Sequence, residues 1–252
     1  MQVDLKGKVA LVTGGGRDIG RAVSIALAAS GASVGVNYNS SADKANAVVR
    51  EIESRGGKAL ALKGDVTSSA EISSMLDEIS ERFGNRIDIL VNNAGGLLAR
   101  KKLDEMDEAF WDAVIELNLK SVFLVTKAVV PRMPEGGAIV NLASLAARDG
   151  GGGGALAYSA AKGAVLTLTR GLSKELAPKK IRVNCVSPGL IDTTFHDTFT
   201  APEIRKNVAA RTSIGREGKS EDVANSVLFL ASDASAYITG ESIEINGGIY
   251  FV

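Results

Sequence analysis

The sequence predicts an α/β fold, a parallel sheet covered by helices on both faces, and three observations carry that expectation. Short apolar runs rich in Val, Ile and Leu recur along the chain, helical lengths of chain separate them, and the first run leads through a glycine-rich turn into an amphipathic segment. Strands buried on both faces read as continuous apolar runs, and parallel neighbours need crossovers long enough to hold a helix. Those crossovers are expected to be right-handed.

Taken in order, Lys8 to Thr13 (KVALVT) is the first strand and Ile19 to Ala29 the first helix. Val34 to Val36 gives a second strand, residues 41 to 55 a helix, Ala59 to Leu62 a third strand and residues 69 to 83 another helix. Ile87 to Val91, Ala138 to Leu142 and Ile181 to Val186 are further strands, and Ser242 to Ile245 is the last, closed by the turn signal Asn246-Gly247-Gly248. Residues 107 to 130 and Ala157 to Leu176 are helical, with apolar side chains around more than one narrow stripe. A second packing surface beside the sheet is implied, either the protein's own loops or another copy of the chain.

No Pro/Ser-rich linker or composition break divides the 252 residues, so one domain over 1–252 is expected, with the five glycines at 150 to 154 as an internal loop. The 29 basic and 29 acidic side chains cancel, leaving no general field for polyanions. Nucleic acid and anionic membrane surfaces are therefore not expected as principal partners. The longest instructive uncharged run, Ala22 to Ala42, is broken by Gly31, Gly35, Asn37, Asn39 and serines and does not read as a membrane span. Cys185 is the only cysteine and the start, MQVDLKGKVALVTG, lacks a secretory apolar core, so a reducing, cytoplasmic setting is expected. The 28 glycines exceed ordinary usage and point to close backbone approaches.

The turn after the first strand reads Thr13-Gly14-Gly15-Gly16-Arg17-Asp18-Ile19-Gly20. Backbone N–H groups bared by glycine, together with the positive end of the next helix, suit a pyrophosphate. Glycine clusters also serve ordinary turns, but this one lies between a strand and a helix. In dinucleotide sites an acid after the second strand commonly holds the adenosine ribose hydroxyls. Here that stretch is Val36-Asn37-Tyr38-Asn39-Ser40-Ser41, with no acid before Asp43. The missing carboxylate removes a repulsive partner for a ribose 2′-phosphate, to which Arg17, Asn37, Asn39 and Ser40 can donate. NADP(H) is favoured, with NAD(H) as the alternative; the competing view of Arg17 is that it only points into water. Asp65, beside Val66, is placed to accept from an adenine amino group or, with Thr67 and Ser68, to cap the following helix. Asn92-Asn93-Ala94-Gly95 forms a compact turn where the cofactor ribose would lie.

Tyr158 and Lys162 are four residues apart, hence on one helical face. An ammonium near a phenol favours phenolate, bringing a group that ordinarily titrates at about 10 within reach of proton exchange. Ser144 follows the fifth strand, where its hydroxyl can hold a substrate oxygen or simply cap a helix. Asn118 can support a water near Lys162 through its side chain or neighbouring backbone, or be an ordinary buried amide.

Together these segments resemble the classical short-chain dehydrogenase/reductase family. The likeness runs from Thr13-Gly14 through Asp65, Asn92-Asn93-Ala94-Gly95, Asn118, Ser144, Tyr158-Ser159-Ala160-Ala161-Lys162 and Pro188-Gly189 to Ile238-Thr239-Gly240 and Asn246-Gly247-Gly248. It implies a single-domain Rossmann-like, doubly wound sheet and the catalytic residues Asn118, Ser144, Tyr158 and Lys162. Cofactor contacts are implied at Gly14, Gly16, Arg17, Asp18, Ile19, Gly20, Asn37 to Ser40, Asp65, Val66, Asn92, Ala94, Gly95, Tyr158, Lys162, Pro188, Gly189, Ile191 and Thr193. The implied chemistry moves a hydride between nicotinamide C4 and a carbonyl or secondary alcohol while Tyr158 transfers the proton, with no metal required. A homo-oligomer, a tetramer before a dimer, is the family expectation.

Two departures stand out. Asp18 occupies a position where the family usually has glycine; its carboxylate either repels phosphate or, as we expect, caps the helix beginning at Ile19. Ser144 and Tyr158 are 14 residues apart, one more than in many relatives, with Gly150 to Gly154 between them as a bulge or mobile rim. Residues 190 to 212, including Phe195, His196, Phe199 and Pro202, resemble the family's substrate-covering segment, with His196 a packing residue. The overall likeness is to 3-oxoacyl-carrier-protein reductases and to sugar and polyol dehydrogenases. Arg100, Lys101, Lys102 and Arg148 are candidates to recognise a phosphopantetheine carrier or a keto sugar acid, or are solvated bases.

Overall fold

The protein is described by a computed structural model covering residues 3–252. Its seven strands are β1 (Val9–Val12), β2 (Ser33–Tyr38), β3 (Lys58–Lys63), β4 (Ile89–Asn92), β5 (Ala138–Leu142), β6 (Arg182–Pro188) and β7 (Ser242–Ile245). All neighbours pair in parallel, in the order β3-β2-β1-β4-β5-β6-β7. Successive residues of β1 point to opposite faces. Ala10 and Val12 join one apolar cluster with Val23, Leu27, Val48, Ile52, Val227 and Leu230, whereas Val9 and Leu11 join another with Ile72, Met75, Ile79, Val125 and Val129. Both faces are thus covered, which is why these strands lack polar alternation.

The helices on the first face are α1 (Asp18–Ala29) and α2 (Ala42–Ser54); α3 (Ser69–Phe83) lies on the second. The stretch expected as one helix over 107–130 divides into α4 (Glu108–Ile115), a π-helical turn over Glu116–Lys120 and α5 (Ser121–Val129). After β5 come α6 (Ala146–Asp149) and the long α7 (Leu156–Glu175), then α8 (Thr194–Phe199) and α9 (Pro202–Arg211), and finally α10 (Ser220–Ala231), which returns to the first face beside α1. Strand β2 runs on through Asn37 and Tyr38, residues the sequence analysis placed in the turn after it.

Beside β1 the chain order reverses, since β2 and β4 flank it. Crevices at such reversals, outside the carboxyl ends of the strands, are where ligands bind in open α/β sheets. The glycine-rich turn follows β1, Asn93-Ala94-Gly95 follows β4, Ser144 follows β5 and Gly189 follows β6. One edge of the sheet therefore gathers segments that lie far apart in sequence. Among the described residues no helix is long and apolar enough to cross a membrane.

Candidate active site

The turn after β1 is locked from several directions. Gly14 has φ +60°, and its N–H donates to Asn37 Oδ1 at 3.1 Å while Gly15 N–H donates to the Asn37 carbonyl at 2.8 Å. Thr13 Oγ1 accepts from Asn93 N and Ala94 N, each at 3.0 Å, and Asn93 Nδ2 donates to the Thr13 and Gly14 carbonyls at 2.9 and 3.0 Å. A Cβ on Gly20 would lie 2.2 Å from the Gly14 carbonyl oxygen and 2.6 Å from Asn93 Nδ2. Only glycine lets α1 begin this close to the strand, and the result is a backbone cradle at a helix N-terminus that fits a pyrophosphate.

Several predicted cofactor residues have other work. Asn37 is 2% exposed, and its Nδ2 donates to the Gly64 carbonyl at 2.9 Å and the Leu62 carbonyl at 3.3 Å, so its side chain braces the turn. Asn92 is equally internal, donating to Thr126 Oγ1 at 3.1 Å and Asn141 Oδ1 at 2.9 Å. Asp65 Oδ1 accepts from Thr67 N and Thr67 Oγ1, both at 2.8 Å, while the cap of α3 is Ser68, which accepts from Glu71 N. Arg17, Asn39 and Ser40 are exposed and Tyr38 half-buried at the same sheet edge; Val66 is buried, and Ile19 packs partly into the core.

Asp18 corrects the expectation of a self-capping helix. It is the first residue of α1, at φ +49°, and makes no cap to that helix. Its Oδ1 accepts from Thr194 N at 3.2 Å and its Oδ2 accepts from the Thr194 hydroxyl, so it caps α8 instead.

The reacting groups meet on the other side of the crevice. Lys162 is 4% exposed, donates from Nζ to the Leu142 carbonyl at 2.7 Å, and lies 5.7 Å from the Tyr158 ring centroid. Burial lowers the Lys162 pKa to about 8. Burial also raises that of the Tyr158 phenol, a shift opposed by a hydrogen bond with the Ser144 hydroxyl. With its pKa raised above the ordinary value, the Tyr158 phenol is protonated at neutral pH. Ser144 Oγ accepts from Ala146 N at 3.2 Å. Asn118 is fully buried in the π turn, donating to the Gly96 carbonyl at 2.8 Å and the Val114 carbonyl at 2.9 Å and accepting from Gly96 N at 3.0 Å. A Cβ on Gly95 would meet Asn118 Oδ1 at 2.8 Å and Lys162 Nζ at 3.2 Å, so glycine opens the space beside both.

Beside these groups lies the segment after β6, where Pro188 ends the strand, Gly189 N donates to the Ile245 carbonyl, and Ile191 and Thr193 are buried. Phe195 stacks on Tyr158 with ring centroids 5.8 Å apart and meets His196 and Phe199 edge-on. Burial, then the Arg205 charge, lowers the His196 pKa to about 4, and its Nδ1 pairs with Thr200 Oγ1 at 2.9 Å, which makes it a neutral packing residue. Three of the four basic residues proposed for an anionic substrate are already engaged, whereas Lys102 is exposed. Arg100 donates to the carbonyls of Phe199 and Gly153, each at 2.8 Å, and Arg148 pairs with Glu244 at 3.0 Å. Lys101 lies over the Phe110 ring at 4.6 Å and 3.8 Å from Asp107. Sequence reasoning missed Thr194 and the accepting carbonyl of Leu142, for which residue type gives no signal.

Comparisons with known proteins agree with this geometry. A family model described as enoyl-(acyl carrier protein) reductase matches residues 14–250. A 3-oxoacyl-[acyl-carrier-protein] reductase of Staphylococcus aureus is 41% identical over 245 residues, covering 96% of this chain and 98% of the relative. The crystal structure of a dehydrogenase/reductase from Sinorhizobium meliloti superposes with a TM-score of 0.94 at 35% identity, covering 99% of this chain and 98% of the other. A short-chain dehydrogenase from Burkholderia cenocepacia, in complex with NADP, gives 0.90 at 37% identity over 97% of this chain and 98% of its own. The chain belongs to the classical short-chain dehydrogenase/reductase family of NAD(P)-dependent oxidoreductases.

Proposed function

We propose that the protein is an NADP(H)-preferring reductase of a 3-oxoacyl thioester presented on an acyl carrier, with Ser144, Tyr158 and Lys162 as its reaction centre. The observation that carries the chemistry is the half-buried phenol of Tyr158, held protonated beside the Ser144 hydroxyl with the buried Lys162 ammonium 5.7 Å from its ring centroid. A bound nicotinamide supplies the hydride. Ser144 then positions the carbonyl oxygen, and Tyr158 protonates it as negative charge develops. Lys162 stabilises the phenolate left behind, and its lowered pKa keeps it poised to pass a proton on at mildly alkaline pH. Because both amide atoms of the Asn118 side chain are engaged, a water route past it runs along the backbone of the π turn.

The glycine cradle, the Thr13–Asn93 lock and the opening at Gly95 would hold the dinucleotide. Preference for the 2′-phosphate rests on exposed Arg17 and the acid-free bend at Asn39-Ser40, and the Burkholderia relative in complex with NADP supports it. The acyl-carrier substrate rests on the Staphylococcus relative and the matching family model. Trp111 and Phe123, exposed on α4 and α5, support assembly with further copies, a tetramer before a dimer.

A panel of 3-oxoacyl thioesters, ketouronates and simple ketones, read by nicotinamide absorbance with NADPH and NADH, tests this directly. Consumption of NADPH with the thioesters is expected; turnover of ketouronates alone would overturn the substrate, and preference for NADH would overturn the cofactor.

A further inference from the structure

Asp18, at φ +49°, holds a left-handed backbone conformation that favours glycine. Local strain in a functional turn asks for a compensating contact. The contact is 176 residues away in sequence: both Thr194 donors, the backbone N–H and the hydroxyl, reach the Asp18 carboxylate. Arg17 Nε, at 3.9 Å from Oδ2, is its nearest charged partner. Thr194 opens α8, and an acid at a helix N-terminus is favoured by the unpaired N–H groups there. The next residue is Phe195, whose ring lies against Tyr158. At its far end the same helix is held by Arg100, which donates to Phe199 and to the glycine loop at Gly153.

We infer that Asp18 is a positioning residue. By gripping Thr194 it ties the substrate cover to the dinucleotide turn, so that Phe195 stands over the Tyr158 ring only while the two are joined. The proposal deepens the reductase reading, because the turn that holds Asp18 is the one assigned to the cofactor. Contact with the turn and placement of the cover over the phenol then become one coupled event, set by this carboxylate rather than by the cover alone.

Hydrogen exchange of the full-length protein, read on peptides covering residues 194–199, tests the tie without requiring turnover. Asp18→Gly relieves the backbone strain and removes both acceptor oxygens; exchange over 194–199 is expected to quicken by about tenfold or more, the effect of losing two charge-assisted bonds, while β1 and β4 peptides stay unchanged. Asp18→Asn keeps one oxygen acceptor and should restore most of the protection. Thr194→Val, which removes only the hydroxyl, should loosen the segment less, and adding it to Asp18→Gly should change nothing further. With the active carbonyl substrate, Asp18→Gly should raise KM more than it lowers kcat, and Asp18→Asn should recover KM. Unchanged exchange over 194–199 in Asp18→Gly, or loosening equal in Asp18→Asn, would overturn the tie. NADPH titration of the wild type separates the two ideas: failure to bind NADPH sinks the cofactor reading even where the exchange results uphold the tie, and the reverse pattern sinks the tie alone.

Discussion

The two walls of the crevice are built on different principles. On the dinucleotide side, Thr13, Gly14, Asn37 and Asn93 interlock through hydrogen bonds of 2.9–3.1 Å, and a Cβ on Gly20 would lie 2.2 Å from the Gly14 carbonyl oxygen. On the substrate side, α8 and α9 have no fully buried residue and are held by a few cross-links: Asp18 to Thr194, Arg100 to Phe199, and Arg205 to Asp192, Asp197 and Glu217. Dense interlocking makes the first wall hard to deform, whereas a few cross-links leave α8 and α9 the more easily opened.

The largest expected effect sharpens the contrast by removing chemistry and leaving both walls intact. Tyr158→Phe should lower the rate of hydride transfer by about 10² to 10⁴-fold while NADPH affinity and melting temperature stay close to wild type, as checked by single-turnover absorbance, titration and calorimetry. Gly20→Ala attacks the rigid wall. Its methyl group would meet Gly14 O, so the turn must shift, with a loss of about 1–3 kcal/mol of stability by denaturant titration and of most cofactor affinity.

Lys162 gives a pH test with a definite sign. Its folded pKa of about 8 lies below the ordinary lysine value of 10.5, so the buried charge weakens the fold most below pH 8, and that penalty fades as the pH rises toward the unfolded value. Lys162→Met should therefore stabilise the protein at neutral pH by on the order of 1–2 kcal/mol, after allowing for the Leu142 carbonyl left without its donor. The advantage should shrink toward pH 10, as urea midpoints of both proteins across the range would show, and activity should be lost throughout. Smallest is Arg205→Met, which leaves three acids facing one another in the cover. A cost of about 1 kcal/mol, seen as faster hydrogen exchange over residues 192–217 with the sheet unaffected, is expected.

The rigid wall was largely legible in the sequence and the mobile one was not. Strands Ala138–Leu142 and Ser242–Ile245 fall where their apolar runs place them, and the glycine turn lies between its strand and helix as read. That the side chains of Asn37 and Asn92 turn inward was not legible because the sheet is buried on both faces: with no polar alternation, the sequence does not show which way strand residues point. The π turn at Glu116–Lys120 escaped notice because one widened turn leaves the apolar pattern almost unchanged. The family resemblance made Ser144, Tyr158 and Lys162 legible as candidates, but not that desolvation would raise the phenol's pKa, since burial depends on chain segments distant in sequence. Nor could it show Asp18 reaching Thr194, a contact made only by the fold.

The central claim is that Ser144 and Tyr158 act on one and the same substrate oxygen. Its most direct test is a single-turnover double-mutant cycle with Ser144→Ala, Tyr158→Phe and the combined variant, each saturated with NADPH and an active carbonyl substrate. Groups that work as a unit are strongly non-additive, so the combined variant should be hardly slower than Tyr158→Phe alone. Losses that simply multiply, or near-wild-type transfer in Tyr158→Phe, would contradict the account.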